Sequence, residues 1–383
     1  MRDIFITKIH IEKVRHLKNV DIVLSDSERR HLILTGKNGS GKTSLLEAMS
    51  DCVLHRQYIS GRDDPYNMWQ KHYDKLQKKD SSGVVMSYSK DSNVDLFDVI
   101  FAYISAWRSR LDVPKSIEPM EIQGKTVVMR NASKEFLKYV LNLDYQLYGA
   151  KSDKNSVLEK KLEKWFDDFK SSLRKIYNCE QLELKRDAKN LVFKVEMPGR
   201  EPFGLHEMSD GYAAFIDIYM ELLMRLETGS GEVDYGLPAI VMIDEIETHL
   251  HVELQKQILP FLTQMFPNVQ FIVATHSPFV ITSLENAVVY DLEKGITLEK
   301  PSFYSYETVV ESFLDTDMYS AELKKYFERY KELCFKERTP EENEEFLRSK
   351  TELEIMSRPS TELYIAFQEL EKRRKAAKNG SID

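Results

Sequence analysis

Only three cysteines occur in 383 residues: Cys52, Cys179 and Cys334. Their number is odd and their separations long, which excludes a disulfide framework and a clustered thiolate metal site and suits a reducing compartment. Long hydrophobic runs are missing as well. No stretch approaches the ~20 apolar residues of a membrane span, and the opening MRDIFITKIHIEKVRHLK carries charges every few residues where a secretory leader would be apolar. The expectation is a cytoplasmic protein with no membrane attachment. There is no basic excess: 54 Lys and Arg against 62 Asp and Glu give a formal charge of −8. A globally positive surface therefore does not draw the chain to nucleic acid, and that role is left to a local patch. Repeats, low-complexity tracts and the long heptads of a coiled-coil arm are absent too.

What is present is the composition of a soluble, helix-rich globular protein, 42% apolar and 30% charged, long enough for two domains. Residues 4–24 alternate apolar and polar positions through Ile4, Ile6, Ile9 and Ile11, then Val20, Ile22 and Leu24, which predicts two strands joined at Arg15-His16-Leu17-Lys18. Residues 57–95 are polar and broken by Gly61, Pro65 and Gly83, so they predict an insertion with one helix near 66–78 and a mobile tip over 79–95. Asp98 to Ile104 reads as a buried strand ending at Trp107-Arg108. Over 132–178 apolar and aromatic positions recur at helical spacing, with Lys and Glu on the other faces, which predicts a helical insertion. Strands are expected again over 182–184, 191–195, 239–243, 269–274, 287–290 and 296–298. Helices are expected from Gly211 to Leu226 and over 252–265, and throughout the region after 301, which ends in the basic run Lys372-Arg373-Arg374-Lys375.

The most informative segment is LILTGKNGSGKTSLLEAM, residues 32–49. Gly36, Gly41, Lys42 and Thr43 satisfy G-x-x-x-x-G-K-[ST] between an apolar strand end and an amphipathic helix. Glycines at 36, 39 and 41, with Asn38 and Ser40 between them, let successive backbone N–H groups point inward around a phosphate chain at the positive end of a helix. Lys42 then reaches the β- and γ-phosphates, Thr43 ligates Mg²⁺, and Ser44 follows on the same first turn. The segment predicts binding of a nucleoside triphosphate, ATP, with Mg²⁺.

Three more motifs specify the class. Ala239-Ile240-Val241-Met242-Ile243 is an apolar strand that ends in Asp244 and Glu245. Asp244 suits Mg²⁺ through a water, and Glu245 suits activation of the attacking water as general base. Phe271–Ala274 is a second buried strand and ends in Thr275-His276-Ser277-Pro278, which makes His276 a candidate γ-phosphate sensor. Met208-Ser209-Asp210-Gly211-Tyr212 stands at a helix start, where Ser209 and Gly211 leave a hydroxyl and open N–H groups for an anion.

Taken together, the P-loop, IVMIDE, MSDGY and ATHSP resemble the Walker A, Walker B, signature and switch-histidine motifs of the ABC-type ATPases of the SMC, Rad50, RecF and OLD group. Thr248-His249-Leu250-His251 occupies that group's D-loop position, and Val14-Arg15 stands where an aromatic-Arg pair is common. The resemblance covers about residues 4–55, 96–110 and 180–292. It implies an α/β fold: an ABC-type P-loop NTPase head with a mixed, partly parallel sheet over 1–131 and 179–300, a helical insertion over 132–178, and a C-terminal helical region over 301–383. It also implies a homodimer that sandwiches two ATP molecules, or a higher oligomer built on it, with Ser209 of one chain at the γ-phosphate held by Lys42 of the other. For the group's glutamine-loop residue, Gln57 is the nearby glutamine while Arg108 has the better strand-end position. Asp210 departs from the group's Ser-Gly-Gly or Ser-Ser-Gly and brings an extra carboxylate near phosphate, where it would slow hydrolysis. Ile246 and Val252 replace prolines found in OLD-like members, and no TOPRIM nuclease is expected after residue 300.

The C-terminal region, with Ser-Phe-Tyr-Ser-Tyr, Val309–Phe313 and Arg358-Pro359, is similar to the ATPase subunits of Septu-type and retron-associated anti-phage systems. That resemblance implies a regulatory ATPase working with a separately encoded HNH-type nuclease. The alternative is a RecF- or Rad50-like repair ATPase that clamps DNA, or another nucleic acid, when ATP is bound. A transporter's nucleotide-binding subunit is disfavoured by the N-terminal strands and the large insertion.

Overall fold

The computed structural model describes residues 4–59, 83–89, 99–108, 114, 135–187, 189–227, 233–313, 321–356 and 362–378. Two strands open the chain, β1 (Ile6–Val14) and β2 (Leu17–Val23), paired antiparallel. Alternation buries Ile9, Ile11 and Ile22 on one face, and Arg15, at φ 53°, makes the turn between them. Next come β3 (His31–Thr35), buried at every position, and α1 (Lys42–Ile59). The expected helix near 66–78 lies outside the described residues. Within the expected mobile tip, however, the structure has β4 (Val84–Tyr88), which pairs with β1 and gives a sheet of order β2-β1-β4. Val84 and Met86 are buried in the same core as Ile9 and Ile11, and that burial is why the segment is a strand rather than a loop.

After β5 (Ile100–Ile104) comes a helical hairpin of α2 (Phe136–Ser152) and α3 (Ser156–Tyr177). Leu162, Trp165, Phe169, Leu173 and Ile176 recur at helical spacing and are buried. Asn155 caps the start of α3 by accepting the Leu158 N–H, and Asn178, in the left-handed region, ends it. A small antiparallel sheet follows, β6 (Glu183–Asp187), β7 (Val192–Glu196) and β8 (Phe203–Gly204), and then α4 (Asp210–Arg225). The hairpin supports α4. Phe169 stacks on Tyr219, whose hydroxyl donates to Ser172 Oγ at 2.9 Å. Tyr177, at the end of α3, stacks on Tyr212 with ring centroids 4.1 Å apart.

The remaining elements of the main sheet are β9 (Ala239–Ile243), α5 (Val252–Met265), β10 (Val269–Ala274), α6 (Pro278–Ile281), β11 (Ala287–Asp291) and β12 (Ile296–Glu299). The order is β12-β11-β3-β10-β9-β5, parallel except for the β11–β12 pair. Strands buried on both faces read as continuous apolar runs, as AIVMI and VQFIVA do. Two polar side chains inside this core bond backbone groups. Gln270 accepts the Ile6 N–H and donates to the carbonyls of Ile6 and Arg30, at 2.7, 2.9 and 2.8 Å, which ties the N-terminal sheet to the parallel one. His31 Nδ1 accepts the Phe271 N–H at 3.0 Å, and burial lowers that imidazole to about 4, so it stays neutral and can accept.

The chain divides into two compact units, Met1–Val309 and Val310–Asp383. In the second, α7 (Ala321–Cys334), α8 (Pro340–Met356) and α9 (Glu362–Lys378) enclose Tyr330, Leu333, Phe346, Leu353 and Phe367. Glu371 is buried there with Tyr330, Arg374 and Lys350 around it, the partners a buried carboxylate needs. Arg358-Pro359 lies outside the described residues. No helix among the described residues is long and apolar enough to cross a membrane.

Candidate active site

Because β3, β10 and β9 are parallel neighbours, their C-terminal ends open on one edge of the sheet, where ligands of such sheets bind. The loop Gly36–Gly41 leaves β3 at this edge. Gly36, Gly39 and Gly41 have φ of 126°, 85° and 98°, values that L side chains rarely adopt. A Cβ on Gly36 would lie 2.9 Å from Ser40 Oγ and 3.2 Å from Asp291 Oδ1, so that glycine is required by space as well. Asn38 and Gly39 are exposed at the tip, while Ser40 is buried. Lys42 Nζ folds back over the loop and donates to the carbonyls of Gly36 (2.7 Å) and Lys37 (3.2 Å). Burial pulls its pKa down, and Asp244 and Glu247 oppose that shift. Ser44 is buried on the same turn.

Thr43 Oγ1 donates to Asp244 Oδ2 at 2.8 Å, which joins the start of α1 to the tip of β9 across 201 residues of sequence. Asp244 is 3% exposed, and its Oδ1 has no hydrogen-bond partner among the described residues. Burial raises its pKa, and the Thr43 hydroxyl works against that. A buried carboxylate oxygen left without a donor, beside a hydroxyl, fits a hard divalent cation. Glu245 is exposed and sits at φ 43°, an uncommon conformation for a residue with a Cβ. Arg108 Nη2 donates to the carbonyls of Asp244 and Glu245 at 3.0 and 3.2 Å, and the Thr248 N–H bonds the Glu245 carbonyl at 3.0 Å. Arg108 thus braces the backbone that carries both acids. The side chain of Gln57 lies outside the described residues.

His276 follows β10 and is half-buried. Desolvation and the Lys42 charge lower its pKa, while Glu247, Glu245 and Asp244 oppose the shift. Its backbone N–H donates to Glu247 Oε1 at 2.6 Å, and Thr275 Oγ1 donates to Glu247 Oε2 at 2.7 Å. Motif spacing does not single out Glu247. Its signal is a third acid two residues beyond Glu245, in a position any solvated turn could fill. Asp291 likewise belongs to no motif, and its Oδ1 lies 3.2 Å from where a Cβ on Gly36 would stand.

Ser209 occupies the N-cap position of α4 with extended backbone, φ −61° and ψ 153°, and its side chain makes no capping bond. It is exposed, whereas Gly211 is buried. A Cβ on Gly211 would lie 3.2 Å from the His249 carbonyl and 3.3 Å from His251 Cδ2, so the start of α4 rests on the segment that follows Asp244-Glu245. The structure therefore brings Gly36, Lys42, Thr43, Asp244, Glu245 and His276 to one sheet edge. Ser209 takes no part in their hydrogen bonds and is exposed.

Comparison with known proteins agrees with this geometry. The family model described as AAA domain, putative AbiEii toxin, Type IV TA system matches residues 32–282. The Septu protein PtuA of Bacillus mycoides (strain KBAB4) is 27% identical over 352 residues, 85% of this chain and 47% of the relative. The Retron Ec83 probable ATPase of Escherichia coli is 35% identical over 109 residues, 27% of this chain and 20% of the relative. The chain thus spans about half the length of the first relative and a fifth of the second. Among solved structures, the Smc head domain bound to the C-terminal domain of ScpA, derived from Pyrococcus furiosus, overlaps 81% of this chain and 100% of its own. Its TM-score is 0.42 at 13% identity.

Proposed function

As a member of the ATPase family described as AAA domain, putative AbiEii toxin, Type IV TA system, the chain carries the nucleotide-binding edge such a domain needs, and we propose that it binds and hydrolyses ATP to regulate a partner nuclease in cytoplasmic anti-phage defence. The observation that carries the reading is the convergence of Lys42, Thr43, Asp244, Glu245 and His276 at the ends of adjacent parallel strands. In this reading the amides of Gly36, Asn38, Gly39, Ser40 and Gly41 cradle the phosphates, with Ser44 supporting the turn. Lys42 exchanges its loop carbonyls for β- and γ-phosphate oxygens. Thr43 and Asp244, whose Oδ1 has no partner among the described residues, would hold Mg²⁺, which would supply neutralisation of phosphate charge. Glu245 takes a proton as the water oxygen bonds to the γ-phosphorus. The β–γ bridging bond breaks with its electron pair passing to ADP, and His276 orients the γ-phosphate. Ser209 and Gly211 of a second copy close the site from the other side.

Similarity to the Septu protein over 85% of the chain supports the defence setting, and the partner we propose for it there is a separately encoded HNH-type nuclease. The test is to look for an HNH-type nuclease encoded beside the gene, purify the chain with it and measure DNA cleavage with and without ATP. Cleavage should change at least several-fold with ATP in the wild type and be indifferent to ATP in Lys42→Ala. Equal cleavage in all four cases rejects gating. ATP-dependent binding of duplex by the chain alone, falling steeply with salt, would favour the DNA clamp.

A further inference from the structure

We propose that Glu247 is a positioning residue that holds His276 at the nucleotide edge through its backbone, so that it governs turnover and not nucleotide affinity. The inference rests on the ATPase reading above. Three cations or potential cations surround this carboxylate electrostatically, Lys42, Arg108 and His276, and an ion-pair role would be the simple interpretation. The hydrogen bonds decide otherwise. Lys42 spends its ammonium on the carbonyls of Gly36 and Lys37, and Arg108 donates to the carbonyls of Ser105, Asp244 and Glu245. Both Glu247 oxygens go instead to the strand end: Oε1 to the His276 N–H at 2.6 Å and Oε2 to the Thr275 hydroxyl at 2.7 Å.

Each neighbour of this contact is fixed in turn. Thr275 is fully buried and its Oγ1 also accepts the Ser277 N–H at 3.0 Å. Ser277 caps α6 and donates to Gln255 Oε1 at 2.6 Å. Gln255 Nε2 donates to the Leu250 carbonyl at 2.7 Å, and the Leu250 N–H bonds the Glu247 carbonyl at 2.8 Å, which closes a ring of contacts back to Glu247. The same turn bears on Gly211 through His249 and His251. A carboxylate that accepts a backbone N–H fixes where the Cα stands, leaving the imidazole unencumbered to meet a phosphate.

Because glutamine has one accepting oxygen and one donating nitrogen, it can keep the His276 N–H bond and reverse the bond to the Thr275 hydroxyl, which both donates and accepts. Alanine loses both. Misplacing a catalytic group by about 1 Å costs up to roughly a hundred-fold. Glu247→Ala should therefore lower kcat by about ten- to a hundred-fold, with KM and nucleotide Kd within about twofold, and Glu247→Gln should recover kcat to within about threefold. Hydrogen exchange at the His276 amide should quicken in Glu247→Ala and stay protected in Glu247→Gln. The proposal is overturned by wild-type kcat in the alanine variant, by a rise in KM matching its loss of kcat, by a glutamine variant as impaired as alanine, or by unchanged amide exchange. Wild type and Lys42→Ala run beside them separate the two readings. Absence of Lys42-dependent turnover in the wild type rejects the ATPase, whereas unaltered His276 exchange rejects the positioning role of Glu247 alone.

Discussion

Lys42→Ala should lose ATP binding measurable by calorimetry. The ammonium is held by two loop carbonyls 2.7 and 3.2 Å away, already over the concavity where the phosphates would lie. Hydrogen bonds to charged groups contribute about 1.5–3 kcal/mol each, so losing two of them weakens binding roughly a hundred- to ten-thousand-fold. The glycine conformations that shape the loop are set by its backbone and survive the substitution. An affinity within a few-fold of wild type would remove the P-loop assignment.

Glu245→Gln should bind ATP normally and turn over about a hundred- to ten-thousand-fold more slowly, the usual loss on removing a general base. Two features isolate this effect. Glu245 takes no part in the Thr43–Asp244 hydrogen bond, so the cation and phosphate contacts are untouched. Arg108 and Thr248 hold the turn through the Asp244 and Glu245 carbonyls, and glutamine tolerates φ 43° as well as glutamate does, since neither is β-branched. The ATP-bound form should accumulate as a dimer. Wild-type phosphate release from this variant would show that another group activates water.

Much of this edge was legible in the sequence, for a physical reason. Strands buried on both faces must be apolar throughout, and punctuation at their ends is sharp, so Ala239–Ile243 and Val269–Ala274 match their expected bounds. The P-loop is legible because its glycines answer a backbone demand that no other residue meets. Edge strands are less well marked: the strand expected over 182–184 spans Glu183–Asp187, where no position is fully buried. The strand Val84–Tyr88 was hidden in a polar segment because its partner, β1, lies more than seventy residues earlier, and pairing at that distance leaves no local period. Arg108, Glu247 and Gln270 act on backbone N–H and carbonyl groups, which every residue has. Their partners therefore carry no sequence signature, and only the fold reveals them.

The most direct test of an active site shared between two chains is to mix inactive subunits. Ser209→Arg keeps its own P-loop and obstructs the exposed start of α4, whereas Lys42→Ala keeps that start and loses the P-loop. In a heterodimer, the loop of the first and the Ser209 of the second compose one intact site. An equimolar mixture should recover about a quarter of wild-type turnover, since half of the dimers are mixed and each has one good site of two. A mixture as inactive as either parent, with heterodimers demonstrated by mass, would contradict the shared site.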